Sequence, residues 1–332
     1  MIIKYTFTFI VSLGAVLALT PWMARTAKDI GIVDRPDGDL KNHPEPVPYM
    51  GGLAVFVAFL IGFSLFYELD KQMLAILLGG TLIVLLGFLD DIGNLGPATK
   101  LLGQVLAVLI VMKAGIAIKI VFLPLYITYP LSFLWLMGMT NAFNIIDIMD
   151  GLSSGVGAIA CVFLFIVALS SGQAGVAQMV LALMGALIGF LRFNYHPARI
   201  YLGDAGSLFI GFMLGALGMV GIYARVNPVA VLAPIFILGV PVFDTLFVMM
   251  VRWKRGLNPL KGSPDHFALR LRRWRLTVSQ TVILSYGVSF LMGTVALIMV
   301  YGNEQTAVGA LLTVSLGMML SALWLWKIDG NL

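Results

Sequence analysis

The chain has 332 residues, of which 60% are hydrophobic and only 11% charged, with a mean hydropathy of +0.99. A soluble globular domain carries roughly 25% charged residues, so this composition excludes one: too little polar surface remains for water. Lys and Arg number 21 against 16 Asp and Glu, and the single Cys161 excludes an intramolecular disulfide framework or a thiol metal cluster.

Apolar segments long enough to cross a hydrocarbon core of roughly 20 residues recur along the whole chain. They fall at 3–24, 51–67, 73–89, 101–115, 130–147, 153–170, 175–191, 206–223, 229–250, 278–300 and 306–326. The first is long and lacks a small-residue cleavage site, so it reads as an anchor helix and not a signal peptide. Lys113 cuts the fourth short, and residues 116–122 alternate like a strand, which predicts a small external hairpin. The fold class is therefore an all-α polytopic integral membrane protein of about 10–11 transmembrane helices, one domain over 1–332.

Basic residues set the orientation. With the N-terminus outside, the inside loops hold Arg25, Lys28, Arg35, Lys41, Lys100, Arg192, Arg199, eight residues between Arg252 and Arg275, and Lys327. That is sixteen of the 21, and Lys4, Lys71, Lys113, Lys119 and Arg225 stay outside. The positive-inside rule requires this sense, which places the active loops at the cytoplasmic face of the plasma membrane. A basic inner face suits anionic lipid and phosphates. No separate basic domain exists to hold nucleic acid.

Polar clusters fall at the inside ends. Asp90-Asp91 close the third segment, at a helix C-terminus where the macrodipole disfavours anions by about 0.3–1 kcal/mol each. Either the end is simply hydrated, or a cation such as a metal ion or Lys100 offsets the repulsion. Next come Asn141, Asn144, Asp147 and Asp150, followed by Gly151. A three-residue step drifts by 60° on a helix, so Asn141 and Asp150 end about half a turn apart. Either the helix loosens near Gly151 or these residues line a pocket curving around it; hydrogen bonding between helices is the bland alternative.

The loop Arg192-Phe-Asn194-Tyr-His196-Pro-Ala-Arg199 leads into Gly203-Asp204-Ala-Gly206-Ser207. Asp204 is placed to N-cap the eighth helix. That helix begins inside, so its free N–H groups allow close approach of a phosphate. A carboxylate there would repel the phosphate unless a hard divalent cation bridged them, and magnesium takes one or two protein oxygens while keeping positions for phosphate. The longest inside loop carries Pro264, expected to open a short helix, with His266 and Arg270 on one face. The loop after the first segment holds Lys41, His43 and Gly51-Gly52, and as a pattern alone is compatible with a plain linker.

Taken together, Lys41-x-His43…Gly51-Gly52, Asp90-Asp91, Asn141-x-x-Asn144-x-x-Asp147-x-x-Asp150-Gly-Leu, Phe193-Asn194…Pro197-Ala198…Gly203-Asp204-Ala-Gly-Ser207 and the His266 loop resemble one family. It is the polyprenyl-phosphate N-acetylhexosamine-1-phosphate transferases, with bacterial WecA-type and MraY-type members, and the likeness runs over residues 30–275 in the correct order. The WecA-type branch fits better. The resemblance implies transfer of N-acetylhexosamine 1-phosphate, GlcNAc 1-phosphate first, from a UDP-sugar to undecaprenyl phosphate, as the first membrane step of a cell-envelope glycan pathway such as lipopolysaccharide synthesis. It implies magnesium, with manganese able to substitute, held by Asp204 and Asn144. Asp90, Asp91 and Asp204 are the implied catalytic residues. Lys41, His43, Lys100, Asn141, Asp147, Asp150, Asn194, His266 and Arg270 are the implied substrate contacts, and a homodimer is implied too. One departure stands out: WecA-type enzymes carry a His-x-His-His run where this chain has only His266, followed by Phe267-Ala-Leu-Arg270.

Three rivals differ from this reading. An MraY-type enzyme would take UDP-N-acetylmuramoyl-pentapeptide, but Lys41-x-His43 and Asn-Ala-Phe-Asn lean to the WecA type. A secondary transporter would set its polar residues near the bilayer midplane in repeated halves, whereas here they sit at one edge. A non-catalytic binding homologue would fail to move labelled sugar to lipid.

Overall fold

The computed structural model describes residues 2–34, 46–65, 70–93, 95–120, 123–224, 226–259 and 262–328. Its elements are α1 (Ile2–Asp29), β1 (Val33–Asp34), β2 (Val47–Pro48), α2 (Gly51–Ser64), α3 (Lys71–Gly93), α4 (Pro97–Lys113), α5 (Leu125–Ile146), α6 (Leu152–Ser170), α7 (Ala174–Asn194) and α8 (Gly203–Val220). A 3-10 turn (Pro228–Leu232) then precedes α9 (Ala233–Ile237), α10 (Gly239–Lys254), α11 (Phe267–Arg273), α12 (Val278–Tyr301) and α13 (Glu304–Ile328). Each of the eleven expected segments holds helix. Among the described residues seven helices are long and apolar enough to span a membrane alone: α1, α3, α6, α7, α8, α12 and α13. The pair 228–237 and α10 is long and apolar enough only together and is bent by 79°, the geometry of a broken span or a re-entrant loop, where the sequence suggested one continuous helix. This is a multi-pass membrane protein.

Two further expectations are corrected. Residues 116–120 form no strand, so the external hairpin is absent among the described residues. Pro264 does not open a helix, because α11 starts at Phe267, with His266 as its N-cap residue.

The chain divides into two compact units, Met1–Gly221 and Ile222–Leu332. In the first, α1 packs on α2 and α7, α7 on α6, and α8 against α3 and α5. Every residue of α8 from Gly203 to Met219 is buried except Asp204. Small residues permit this crowding. A Cβ on Gly52 would collide with the Gly206 backbone, and one on Gly87 with Asp204 and Ala205. With little hydrophobic drive between helices in lipid, such close approach is what packs them.

In the second unit α12 packs on α9 and α13. Asn227 caps the 3-10 turn, accepting from the Ala230 N–H and donating to the Met299 and Gly302 carbonyls. α12 opens with a full capping box between Thr277 and Gln280. Only Ala307 and Leu325 of α13 are buried, leaving Leu312, Leu316 and Leu320 exposed on a surface suited to hydrocarbon.

Candidate active site

The polar clusters gather at one end of the first unit, where α3 ends and α4 begins, α5 ends and α6 begins, and α7 hands over to α8. Lys100, in the first turn of α4, is the hub. Its Nζ lies 2.8 Å from Asp90 Oδ2 and also pairs with Asp204 Oδ2. Asp90 Oδ1 accepts the Leu95 N–H at 2.7 Å, which folds the α3–α4 connection back onto the helix end. The dipole and like-charge cost at Asp90-Asp91 is thus offset by an ammonium group.

Asp91 points the other way. Its Oδ1 accepts the Asp204 N–H at 2.8 Å and its Oδ2 the Ala205 N–H at 3.2 Å. The cap of α8 is therefore supplied by Asp91 from α3, not by Asp204 itself; the N-cap residue Leu202 makes no side-chain cap bond. Gly203 sits at φ 68, a conformation that favours glycine, and a Cβ there would meet the Asp91 carboxylate. That turn frees the Asp204 side chain to face Lys100 and Asn144. Asn144 Nδ2 donates to Asp204 Oδ1 at 2.7 Å and to Ser207 Oγ at 2.9 Å.

α5 ends at Ile146, so Asp147 and Asp150 stand in a turn closed by Gly151 instead of continuing the stripe. Asp147 accepts no hydrogen bond from a described residue. Burial, then the Asp204, Asp91 and Asp150 carboxylates, push its carboxyl up to about 8. Asp150 Oδ2 lies 2.7 Å from His196 Nδ1 and accepts the Ala198 N–H at 3.0 Å. Asn194 is buried, accepting from the Gly151 N–H and Ser154 Oγ and donating to the Ile200 carbonyl. Asn141 pairs with Gln104 of α4. These three stitch neighbouring segments of the first unit together.

Sequence reading missed Tyr49 and Tyr201, whose rings lie 5.9 Å apart. The Tyr201 N–H donates to the Pro48 carbonyl, and the Gly51 and Gly52 N–H groups donate to the Tyr201 and Leu202 carbonyls, seating the start of α2 on the loop before α8. Burial, then Asp150, Asp34 and Asp147, push the Tyr201 phenol up to about 12. Burial and a hydrogen bond with Asp34 raise the Tyr49 phenol as well. A lone aromatic in a loop carries no pattern that would have singled it out. Lys41 and His43 lie outside the described residues.

In the second unit His266 and Arg270 are both buried. Arg270 is only 1% exposed, donates to Asp265 Oδ1 at 3.0 Å and to the Leu325 carbonyl at 3.1 Å, and lies 5.1 Å from the Phe247 ring. That geometry gives Arg270 a packing role and lends no support to its gripping a diphosphate. His266 Nδ1 lies 2.7 Å from Oδ2 of Asp244, a residue that sequence reading passed over. The signal was there: an aspartate inside an apolar segment is costly and asks for a reason.

Residues 73–222 match the model of Glycosyl transferase family 4. Over 311 residues the chain is 36% identical to a probable undecaprenyl-phosphate N-acetylglucosaminyl 1-phosphate transferase of Bacillus subtilis, covering 90% of this chain and 85% of that one. It is 29% identical to a decaprenyl-phosphate N-acetylglucosaminephosphotransferase of Mycolicibacterium smegmatis (80% and 75% covered). It is 34% identical to a phospho-N-acetylmuramoyl-pentapeptide-transferase of Halalkalibacterium halodurans (70% and 78% covered). With motifs in family order and a relative matched over nearly its full length, the chain belongs to glycosyl transferase family 4, the polyprenyl-phosphate N-acetylhexosamine-1-phosphate transferases.

Proposed function

We propose that this protein transfers N-acetylhexosamine 1-phosphate, GlcNAc 1-phosphate in the first instance, from a UDP-sugar to undecaprenyl phosphate, with its active site at the cytoplasmic face of the plasma membrane. The products are polyprenyl-diphosphate-sugar and UMP. The observation that carries this reading is Lys100 held between Asp90 and Asp204, with Asp147, which accepts no hydrogen bond from a described residue, within the field of Asp204. It is a site rich in oxygen donors with one fixed ammonium, suited to bringing two anionic phosphates together.

The residues present fit a hard divalent cation. Among the described residues no group of three or more His, Cys, Asp and Glu forms a metal cage, but magnesium needs only one or two protein oxygens. Asp204 and Asn144 would hold it. Asp147, which accepts no hydrogen bond from a described residue while lying within the field of Asp204 and Asp91, supports a cation between them. Both Asp91 oxygens accept backbone N–H groups, which fixes that carboxylate as the cap of α8. When bound, the ion would neutralise charge that builds on the phosphates during transfer.

The chain's own residues then position and neutralise. An oxygen of the lipid phosphate attacks the β-phosphorus in line. The new P–O bond joins lipid phosphate to sugar phosphate, and the bond from the β-phosphorus to the bridging oxygen breaks, so UMP leaves with that oxygen. The lipid phosphate is already ionised at neutral pH, so direct displacement needs no strong base. Lys100 draws the acceptor phosphate against Asp90's repulsion, Asp150 and Asn194 shape the nucleotide-sugar loops, and in the second unit His266 is the group that the family resemblance assigns to a phosphate oxygen of the donor. As the family resemblance implies, the protein works as a homodimer.

The test is purified protein with undecaprenyl phosphate and a panel of UDP-N-acetylhexosamines, reading UMP release with and without a chelator. UMP release with UDP-GlcNAc, abolished by chelation, is expected. Release only with UDP-N-acetylmuramoyl-pentapeptide would assign the MraY-type reaction instead.

A further inference from the structure

α10 carries Asp244 within the apolar run from Val240 to Val251, at 0% exposure. A carboxylate so placed is costly unless its oxygens find donors. Both do, and both donors come from two consecutive residues. Oδ1 accepts the Phe267 N–H at 2.8 Å, and Oδ2 lies 2.7 Å from His266 Nδ1. A carboxylate accepts hydrogen bonds, so Nδ1 carries the hydrogen and Nε2 is the nitrogen left for another partner. Among the described residues Nε2 has no hydrogen-bond partner, and it is absent from the buried side-chain atoms left unpaired, so solvent reaches it.

The surrounding contacts hold this arrangement still. Asp265 is gripped by Arg255 and Arg270, each at 3.0 Å. Arg252 ties down the Asn258 and Gly262 carbonyls, and Phe243 meets the Phe267 ring edge-on. The charged groups around His266 are thus Asp244 on α10, and Asp265, Arg255 and Arg270 around the loop and α11. A structural ion pair already joins the last three, which leaves Asp244 as the group engaged with the imidazole.

We propose that Asp244 is a positioning residue for His266: it fixes the hydrogen on Nδ1 and balances the charge when Nε2–H is offered to a phosphate oxygen of the sugar-nucleotide donor. The choice of ligand rests on the function proposed above; the control of the imidazole does not. The same logic, a carboxylate fixing tautomer and ring orientation, operates wherever an imidazole must present one chosen nitrogen.

The test pairs kinetics with nitrogen-15 NMR of the histidines, the His266 signals being those lost in His266→Ala. Asp244→Asn keeps the shape and an acceptor for the Phe267 N–H, but its amide can donate to Nδ1. Expected is an imidazole protonated at Nδ1 in the wild-type protein and unprotonated there in Asp244→Asn. The variant's donor KM should rise about 10- to 100-fold, the effect typical of such orienting partners, with a smaller change in kcat. In a His266→Ala background the same substitution should change KM by less than about twofold, because it acts only through the histidine. A bare Nδ1 in the wild-type protein, where His266→Ala serves only to assign the signal, overturns the proposal, as do losses that multiply in the double variant. If His266→Ala leaves the donor KM unchanged while Nδ1 is protonated as expected, the donor contact falls and the positioning stands.

Discussion

The two adjacent aspartates should fail in different ways when each is replaced by asparagine. Asp91→Asn keeps one acceptor oxygen but turns an amide NH2 toward a helix N–H, since both carboxylate oxygens now serve Asp204 and Ala205. One buried N–H left without an acceptor costs about 1–3 kcal/mol. Losing a negative charge at the start of α8 adds about 0.3–1 kcal/mol, and relief at the C-terminus of α3 and from Asp90 returns about as much. The sum stays at about 2 kcal/mol. Asp90→Asn keeps the acceptor for the Leu95 N–H and loses an ion pair whose side chains are 20% and 15% exposed, with Lys100 still held by Asp204. That costs about 1 kcal/mol or less. At about 2–4 °C per kcal/mol, detergent-solubilised Asp91→Asn should melt about 4–8 °C below the wild-type protein and Asp90→Asn within about 4 °C. UMP release should fall in both, through a displaced Asp204 in the first and a mishandled acceptor in the second, with UDP-sugar affinity less affected. An Asp91→Asn protein that melts like wild type but is dead would refute the capping assignment and make Asp91 a reacting group.

Asp204→Asn should abolish transfer while leaving the melting temperature within a few degrees (about one kcal/mol), because Asp91, not Asp204, caps α8; near-normal, chelator-sensitive turnover would sink the metal assignment. Asp147 holds its proton up to about 8 in the folded protein but loses it near 4 when unfolded, so stability falls as pH rises through that window and levels off above it. Asp147→Asn, melted in chelator, should match the wild type near pH 4 (about the reference pKa) and gain steadily on it until the difference flattens above about pH 8; a pH-independent difference refutes this. Arg270→Ala leaves the Leu325 carbonyl without its buried donor while Arg255 still holds Asp265, and should cost about 1–3 kcal/mol, read as a lowered melting temperature. A normally melting variant with a raised donor KM would restore Arg270 to ligand binding.

Much of the site was legible because its residues break the apolar background. In a chain this hydrophobic an Asp-Asp pair or a polar stripe is conspicuous, and the cost of placing either at a helix end implied a cation beside it. Lys100 was named for that reason, and the structure puts it there. Asp244 obeyed the same rule and was overlooked for want of an adjacent motif. Tyr49 and Tyr201 broke no pattern at all, since their importance lies in the contact between two loops.

By itself the sequence determined the membrane class, the helical segments and the family, because these follow from composition, hydropathy and residue order, which no packing alters. Only the tertiary structure decided which carboxylate does what. Asp90 and Asp91 are neighbours in the chain, yet their side chains leave a helix end in different directions. One meets the ammonium of Lys100, the other the backbone of a helix more than a hundred residues away. The pairing of Arg270 with Asp265 could not be read from the motif for the same reason: a side chain's partner at about 3 Å is a property of the fold.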